Sequence, residues 1–427
     1  MKYIRLVFTI TFVSMIFYNC TKENTALINQ KLRTINVTTA GTLSSLLTTI
    51  QKDSITNLIL TGNIDARDFV TMRDSMPMLA VLDISTVKII AYNGDKGTYT
   101  DTAYPANELP EDSFSSTHNA KTSLTSIKLP NSITSIGNFA LAGTGISNIN
   151  IPNSVTSIER GAFENCKNLT VISIPNSITS IEDVVFGGCS KLTNFTISNS
   201  VASIGGSSFA NCTGLKNIII GNSVTTIGAD AFVGCTSLTN INIPNSVTSI
   251  GAGAFGGCTS LTNINIPNSV TSIGDGAFGG CTGLTNINIP NSVTSIGNFA
   301  FEITGLTSII IPSSVTSIGN DAFMNCTNLS GITIHESVTS IGDGAFNGCT
   351  GITSVTLPST VTSIGNAAFG SCSKLTTIYC IGATPPMIAA NCFYNDPLTA
   401  IYVPLTSVNA YQTAAVWSNY SLMIRGN

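Results

Sequence analysis

Residues 238–260 read LTNINIPNSVTSIGAGAFGGCTS, and eleven copies of nearly the same pattern follow one another between residues 124 and 374. A fixed short period indicates one supersecondary unit per copy, and stacking buries the apolar face of each unit against its neighbours. Nine copies have 23 residues, and the first and eighth have 22. The copies begin at Leu124, Ile146, Leu169, Leu192, Leu215, Leu238, Leu261, Leu284, Leu306, Leu329 and Ile352.

The aligned copies show what each position requires. Positions 4 and 6 are always apolar, as in Ile241 and Ile243, and positions 3 and 5 are mostly polar, which is the alternation of a half-buried strand. Position 7 is Pro in eight copies, and Pro ends the strand because it cannot donate to the ladder. A second short strand is predicted from Val247 to Ile250, and Ala254-Phe255 predicts a short helical or tight-turn segment on the far side.

Position 14 is Gly in nine copies, but Glu159 and Glu182 occupy it in the other two, so a left-handed backbone is not required there. Like residues of neighbouring coils should stack on one another at ~4.8 Å, the spacing of paired strands. The sequence therefore predicts a ladder of Ile, a ladder of Phe and a ladder of Cys.

The pattern L-x-x-I-x-I-P-x-x-V-x-x-I-G-x-x-A-F-x-x-C-x-x resembles the leucine-rich repeat of the bacterial surface protein A type, called BspA-like, throughout residues 124–374. The resemblance implies a repeat solenoid: a leucine-rich-repeat-type parallel β-solenoid with short helical or turn segments on the outer side and helical caps. It also implies a surface or secreted protein that adheres to host proteins or other cells. It does not indicate which ligand is bound.

The repeat spacing continues on both sides of the eleven regular copies, although less regularly. Residues 55–123 are predicted to form degenerate N-terminal repeats with an inserted loop, Tyr92–Pro105. Residues 375–427 are predicted to form degenerate terminal repeats and a C-terminal cap, with a helix after Ser407. Degenerate outer repeats are expected because end coils must protect open strand edges.

Residues 20–54 are predicted to hold a lipid anchor, a tether and an N-terminal cap helix. Leu43, Leu46, Leu47 and Ile50 have the i, i+3, i+4, i+7 spacing of a short amphipathic helix.

Residues 1–19 have the features of a signal peptide, because Lys2 and Arg5 precede an apolar run that is too short to span a bilayer comfortably. Cys20 is placed as in bacterial lipoprotein signals, in which that cysteine is lipidated, although Asn19 stands where a small residue is usual. Plain secretion and an uncleaved anchor are the alternatives.

The segment Thr21-Lys22-Glu23 resembles the charged start that some Gram-negative lineages use to send lipoproteins to the cell exterior. The sequence therefore predicts an outer-membrane lipoprotein exposed on the cell surface and held to the membrane by lipid on Cys20. A secreted protein is the alternative localisation.

The composition excludes some partners. Charged residues make up 9% of the chain, the net charge is −4, and Asp275 is the only charged residue between Thr236 and Ala300. Nucleic-acid binding requires a basic footprint, which is missing, so no nucleic acid is expected. A chain of 427 residues would ordinarily contain two or three domains, but a solenoid grows simply by adding copies.

Nine of the twelve cysteines fall at position 21. Side chains in a parallel ladder point the same way, and free Cys packs as a small hydrophobic residue, so buried thiols are expected. Cross-coil disulfides and a chain of metal sites are the alternatives, although zinc has no support because C-x-x-C is missing. Cys380 and Cys392 lie off this register and are interpreted as a disulfide or as two buried thiols.

No catalytic residue, metal site or cofactor is predicted, and the chain is expected not to be an enzyme. The common nucleophile-elbow, zinc-protease and P-loop motifs are missing. His118 lies in a polar stretch, and His335 replaces the position-7 Pro and is interpreted as structural. Asp65 and Asp68 flank an expected helix start, where an N-cap role is favoured over acid–base chemistry.

Two groups of residues are candidates for binding. The first is the outward-facing rows at positions 3 and 5, for which a solvated, self-satisfied ladder is the alternative. The second is the tyrosines of the inserted loop, a residue type frequent in binding patches, for which packing on the end coil is the alternative. The residues are Asn240, Asn242, Asn263, Asn265, Asn286, Asn288, Tyr92, Tyr99 and Tyr104.

The sequence thus predicts a cell-surface binding protein or adhesin, monomeric and without a cofactor, that contacts a host or neighbouring-cell protein or glycan. A passive structural or spacer lipoprotein of the envelope is the alternative. Near-identical central copies favour the spacer, because a tuned binding site usually breaks the symmetry of the repeats.

Overall fold

In a computed structural model, residues 31–99, 103–115 and 120–427 are described. The chain divides into two units, Met1–Ser157 and Ile158–Asn427, and the division falls inside the strand Ser157–Ile158. Each unit is built from parallel coils, so the predicted parallel β-solenoid is confirmed.

The copy at residues 238–260 shows how one coil of the second unit is built. A main strand, Asn240–Asn242, is followed by a turn at the Pro and by a second strand, Ser249–Ile250. The rest of the copy is a series of turns rather than a helix. Eight apolar side chains of this copy are buried, and their positions are those that the repeat pattern predicts. They are Leu238, Ile241, Ile243, Val247, Ile250, Ala254, Phe255 and Cys258.

The second strands of this unit form one continuous parallel sheet of ten strands. Their register places Ile on Ile, as in the pairs Ile204↔Ile227 and Ile341↔Ile364. The strands are Ser180–Ile181, Ser203–Ile204, Thr226–Ile227, Ser249–Ile250, Ser272–Ile273, Ser295–Ile296, Ser317–Ile318, Ser340–Ile341, Ser363–Ile364 and Met387–Ile388.

The main strands of the second unit pair in shorter sheets, with a four-stranded one at the C-terminal end. They are Val171–Ser173, Asn194–Thr196, Asn217–Ile219, Asn240–Asn242, Asn263–Asn265, Ser308–Ile311, Gly331–Ile334, Ser354–Leu357, Thr377–Cys380, Ala400–Val403 and Ile424–Gly426.

The predicted Phe ladder is present as a continuous stack of rings from Phe163 to Phe393. Ring centroids of consecutive copies are 5.5 Å apart at Phe255 and Phe278 and 5.2 Å apart at Phe323 and Phe346. Each such aromatic pair contributes about 0.5–1.5 kcal/mol beyond the area it buries. The stack therefore holds neighbouring coils at a nearly constant spacing.

Positions 16 and 20 carry the left-handed backbone in all eleven copies, and the sequence analysis missed this requirement. Position 16 is Gly in only four copies and is otherwise occupied by residues as unsuited as Val184 and Phe299, with φ of 60° and 57°.

Position 14 has an ordinary φ, as inferred, but a Cβ on Gly251 would lie 2.6 Å from the Ala229 nitrogen of the preceding coil. Glycine there permits close approach of coils.

The first unit has a parallel sheet of four main strands and a fifth main strand outside that sheet, and the earliest strand was missed in the stretch assigned to tether and cap helix. They are Leu32–Val37, Asn57–Ile64, Val81–Ile89 and Ser126–Lys128, followed by Asn148–Asn150. Second strands of this unit are Glu108–Leu109 and Ser135–Ile136, which pair in parallel.

The predicted single cap helix is instead two short helices, Leu43–Leu46 and Thr49–Ser54. Thr48 forms a capping box with Gln51 and starts the second helix, so the spacing of the four apolar residues does not define one face. Leu43 is buried, whereas Ile50 is 76% exposed. The third helix, Ala66–Asp74, begins where predicted.

The C-terminal end closes with Leu405–Ser407, the helix Val408–Thr413 and Trp417–Met423, which confirms a helical cap after the last regular copies. The hydroxyl of buried Tyr411 donates to the Gly382 carbonyl at 2.9 Å, and the Trp417 indole N–H donates to the Pro386 carbonyl at 2.8 Å. These two rings cover the apolar interior of the last coil.

Candidate functional site

The outward face of the main strands is the first candidate binding surface. Asn240 pairs in register with Asn263, and Asn242 pairs with Asn265, so the four side chains form two parallel rows. All four are exposed, and the Ile between each pair is buried. The alternation of buried and exposed residues therefore places these amides on the surface, as the repeat pattern predicts.

The side chains of these four asparagines form no hydrogen bond with any other described residue. Elsewhere on the same face, the Asn217 carboxamide donates to that of Asn194 at 3.0 Å. Hydrogen bonding between the carboxamides of neighbouring coils is therefore a local feature of this face. In the central coils each amide keeps two donors and an acceptor available to a partner.

The outward rows are interrupted at the eighth copy. Asn286 lies outside any strand, and Asn288 forms a single parallel bridge with Asn265. The next main strand, Ser308–Ile311, pairs with Gly331–Ile334 and with no other described strand. A cleft of about 590 Å³ opens at this break, and its lining includes Asn286, Asn288, Asn291, Ile310, Thr333 and His335.

Apolar residues occur in the position-5 row, and the sequence analysis did not single them out. Ile219 is 64% exposed and Ile310 is 68% exposed, where the central copies have Asn. Near the C-terminal end, the rings of Tyr379 and Tyr402 stack on this face at 5.2 Å. The signal was present in the aligned copies, because Ile219 and Ile310 are the apolar residues in a column that is otherwise polar.

The inserted loop is an antiparallel hairpin of Tyr92–Asn93 and Ala103–Tyr104. Tyr104 is buried, and its hydroxyl donates to the Tyr99 carbonyl at 2.7 Å, so it is not available to a partner. Tyr92 stacks on Tyr104 and lies under the Arg67 guanidinium, 4.6 Å from the ring centroid. Of the three tyrosines, Tyr99 is the exposed one, so loop packing explains this group better than binding does.

Asp65 and Asp68 serve the fold of the first unit. Asp65 is the N-cap of Ala66–Asp74, as expected, and accepts from the Arg67 nitrogen at 2.9 Å. The Asp68 carboxylate accepts from the backbone of Leu43 and Gly41, which ties the helix start to the preceding segment. Burial raises the pKa of Asp68, and these backbone hydrogen bonds oppose the shift.

The nine position-21 cysteines are buried free thiols, which confirms the predicted thiol ladder. The Cys258 thiol donates to the Phe232 carbonyl of the preceding coil at 3.2 Å, and the same bond recurs along the ladder. Burial raises the pKa of Cys258 to about 12, so the thiolate needed for nucleophilic attack or metal binding is disfavoured.

The same position is Thr304 in the eighth copy, and its hydroxyl donates to the Phe301 carbonyl at 2.9 Å. Cys380 and Cys392 are also free and buried, which agrees with the interpretation as two thiols.

Other predicted residues have a purely local role or lie outside the described residues. His335 is exposed at the turn that follows Gly331–Ile334. Cys20, the signal peptide and His118 are outside the part of the chain that the structure describes. Within the described ranges, no group of three or more His, Cys, Asp or Glu side chains is arranged to hold a metal ion. No helix of those ranges has the length and hydropathy needed to cross a membrane.

The comparisons with known proteins agree with this geometry. The family model described as BspA type leucine rich repeat region matches residues 108–239, 225–321 and 294–422. A leucine-rich repeat protein from Bacteroides ovatus is 26% identical, with 88% of this chain and 84% of that one covered and a TM-score of 0.59. A leucine rich cell surface protein from Faecalibacterium prausnitzii is 29% identical, with 76% and 86% covered and a TM-score of 0.50. Among curated proteins, none matches the chain.

The fold and its repeated outward face define a leucine-rich repeat protein. The chain belongs to the BspA-type leucine-rich repeat family. Proteins with this repeat are generally not enzymes.

Proposed function

We propose that this protein is a cell-surface adhesin that contacts a host protein, a glycan or a neighbouring cell through the outward face of its main strands. The observation that carries the proposal is the pair of exposed rows at Asn240, Asn242, Asn263 and Asn265, whose carboxamides have no partner among the described residues. The family and the similarity to a protein described as a cell surface protein support it.

The chemistry of this face favours uncharged recognition. Between Thr236 and Ala300 the chain carries one charge, at Asp275, and that residue belongs to the turns rather than to the main strands. Weak surface potential gives little steering of charged partners, so contact depends on neutral hydrogen bonds from amides. When the partner is itself repetitive, each contact along a row raises the effective concentration of the partner at the next one. Many weak contacts therefore add up to a stronger attachment.

We also propose that the protein is an outer-membrane lipoprotein anchored through Cys20. The position of this cysteine after an apolar run supports the proposal. Cys20→Ala should move the protein from the membrane fraction to a soluble fraction. Unchanged partitioning, with no acyl mass on residue 20, would defeat the anchor while leaving the adhesive face untouched.

The adhesive face is tested with one variant that carries Lys at Asn240, Asn242, Asn263 and Asn265. Attachment of the purified protein to host cells and matrix proteins should be lost, because four ammonium groups replace the amides. The matched control carries Lys at the exposed position-22 threonines of the turn side, Thr213, Thr236, Thr259 and Thr282. It has the same added charge, and it should attach as the wild type does.

A deletion of residues 261–283 removes one whole coil and tests whether the contributions of the coils to attachment are additive. The fold should survive because contacts are between neighbours, and attachment should weaken. If the Lys variant and the deletion both attach normally, the central coils are a spacer and the adhesin proposal fails for this face.

A further inference from the structure

The cleft lies at one of several breaks in the main-strand ladder, and this break adjoins a shortened copy. The copy at residues 284–305 has one residue fewer than its neighbours. Its second strand still pairs normally, as Ile296↔Ile318 shows, and the rings of Phe301 and Phe323 remain 5.2 Å apart. The copy matches its neighbours residue for residue through Phe301, so the missing residue lies in the turns that follow it, just before the main strand Ser308–Ile311. No ladder joins Asn288 to Ile310.

The lining of the cleft combines amides, hydroxyls, the imidazole of His335 and an exposed aliphatic side chain. Asn286, Asn288 and Asn291 form the amide side, and Ser308 and Thr333 contribute hydroxyls. Ile310 is 68% exposed, so its apolar surface faces outward rather than into the core. None of the described residues that line the cleft is a carboxylate, an ammonium or a guanidinium.

This chemistry selects for an uncharged ligand with many hydroxyls and one apolar face. A carboxamide offers both donors and an acceptor, which matches the paired donor and acceptor character of a hydroxyl. The volume of about 590 Å³ lies within the range of about 300–1,000 Å³ that is usual for small-molecule sites. A pyranose ring has hydroxyls at its rim and C–H groups on its face, so it fits both halves of the lining.

An inserted peptide strand is the less favourable occupant. The Thr307 nitrogen donates to the Thr285 carbonyl at 3.1 Å, so the two coils are still at hydrogen-bonding distance where the break begins. An added strand would require a gap of roughly two strand spacings, ~9.6 Å.

We infer that the cleft between the coils beginning at Leu284 and Leu306 binds an uncharged sugar unit of a glycan. Asn286, Asn288 and Asn291 supply the hydrogen bonds, and Ile310 supplies the apolar contact. The inference rests on the proposed adhesive function and names the ligand class and the place of binding. The cleft breaks the symmetry of the repeats, whereas the central Asn rows follow that symmetry.

The probe is an array of neutral, sialylated and sulfated oligosaccharides, followed by titration of the full chain with the neutral oligosaccharide that binds best. Ile310→Lys should weaken that binding at least tenfold. Ile219→Lys is the matched control, because Ile219 holds the same repeat position with 64% exposure and lies outside the cleft. The control should bind within twofold of the wild type.

A second pair keeps the test independent of the added charge. Asn291→Leu should weaken binding at least fivefold, and Asn245→Leu, at the same repeat position two copies earlier and exposed in a turn, should change it by less than twofold. If Ile310→Lys does not fold, as judged by circular dichroism, this pair decides the question.

Three results would overturn the sugar inference. They are no neutral oligosaccharide bound by the wild type, equal effects within each matched pair, or a cleft variant that loses binding to an enzymatically deglycosylated matrix protein. The last result would assign the cleft to a protein partner. The first result, with attachment still lost in the variant that carries Lys at the four asparagines of the rows, would reject the sugar site while leaving the adhesive face standing.

Discussion

The coils at residues 238–283 and the coil at residues 284–305 have nearly the same sequence but different surfaces. In the first pair, Asn240–Asn242 and Asn263–Asn265 are hydrogen-bonded strands with exposed amides. In the eighth copy only the bridge Asn265↔Asn288 remains, and a cleft follows it. The main-strand face therefore differs between copies that share nearly the same sequence.

The inner side of the same coil is unchanged. Phe301 lies 5.5 Å from Phe278, and Ser295 and Ile296 pair with the strand before them. Thr304 takes the place of the ladder cysteine, but its hydroxyl donates to the Phe301 carbonyl of its own coil rather than to the coil before it. The comparison teaches that the Ile, Phe and Cys ladders fix the coil, whereas the main-strand face can vary without loss of the fold.

The largest effect is expected at the Phe ladder. Phe255→Ala in a regular coil and Phe301→Ala in the short one should each lower the free energy of unfolding by about 3–5 kcal/mol, because both rings are fully buried. Phe299→Ala, at the 41% exposed neighbour, is the control and should cost far less. Urea unfolding measures all three. A cost under about 1 kcal/mol for Phe301 would mean that the short coil is not held by the stack.

A smaller effect is expected from the left-handed position 16. Phe299→Gly should raise the free energy of unfolding by about 1 kcal/mol, because glycine removes the penalty of φ 57° for a side chain. Gly276→Ala is the converse in the preceding coil, where the added Cβ meets nothing within 4 Å and only the backbone penalty remains. It should cost a similar amount. The two substitutions should therefore change the free energy of unfolding in opposite directions. Changes in the same direction would contradict a backbone penalty at position 16.

A pH effect is expected near the C-terminal end. Burial raises the pKa of Asp396 to about 7, although its carboxylate accepts from the Cys372 nitrogen at 2.7 Å. Because the pKa of this carboxyl is raised in the folded state, the folded protein keeps the proton at pH values at which the unfolded chain has already lost it. Stability should therefore be greatest below pH 4 and should fall as the pH rises through 7.

The variant Asp396→Asn removes this titration and keeps an acceptor for the Cys372 nitrogen. It should raise the midpoint of thermal unfolding at pH 8 by about 2 °C and leave it nearly unchanged at pH 4. An equal shift at both pH values would show that the carboxyl does not titrate between folded and unfolded states as proposed.

The smallest effect on stability is expected on the outward face. Each of Asn240→Lys and Asn263→Lys should change the free energy of unfolding by no more than about 0.5 kcal/mol, because exposed side chains without partners contribute little. Urea unfolding of the single variants checks this. A loss above 1 kcal/mol would mean that the amide rows stabilise the coils and are not free for binding.

Much of the fold could be predicted because the repeat encodes it directly. The alternation around Ile241 and Ile243 and the predicted ladders of Ile, Phe and Cys each correspond to an observed strand or stack. The left-handed position 16 could not be predicted, since Val184 and Phe299 give no sign of it and neighbouring coils impose the conformation. The strand Leu32–Val37 was missed because most of its residues are not buried and carry no clear apolar alternation.

The candidate site was predicted only in part. The outward direction of Asn240 and Asn263 followed from the period of two, but the burial of Tyr104 depends on a hairpin that pairs it with Tyr92. The cleft depends on how neighbouring coils pack against each other, which is not encoded by any single residue type. Ile310 is visible in the sequence only as one of two apolar residues at position 5 of the eleven copies.

The most direct test of the main-strand face as the binding surface is hydrogen–deuterium exchange of the protein with and without a bound host partner. The account predicts slower exchange in peptides that cover residues 240–242, 263–265 and 308–311. Peptides that cover the second strands, such as 249–250 and 272–273, should be unchanged. Protection confined to the hairpin at residues 92–104, or to the turns at positions 15–22, would contradict the claim.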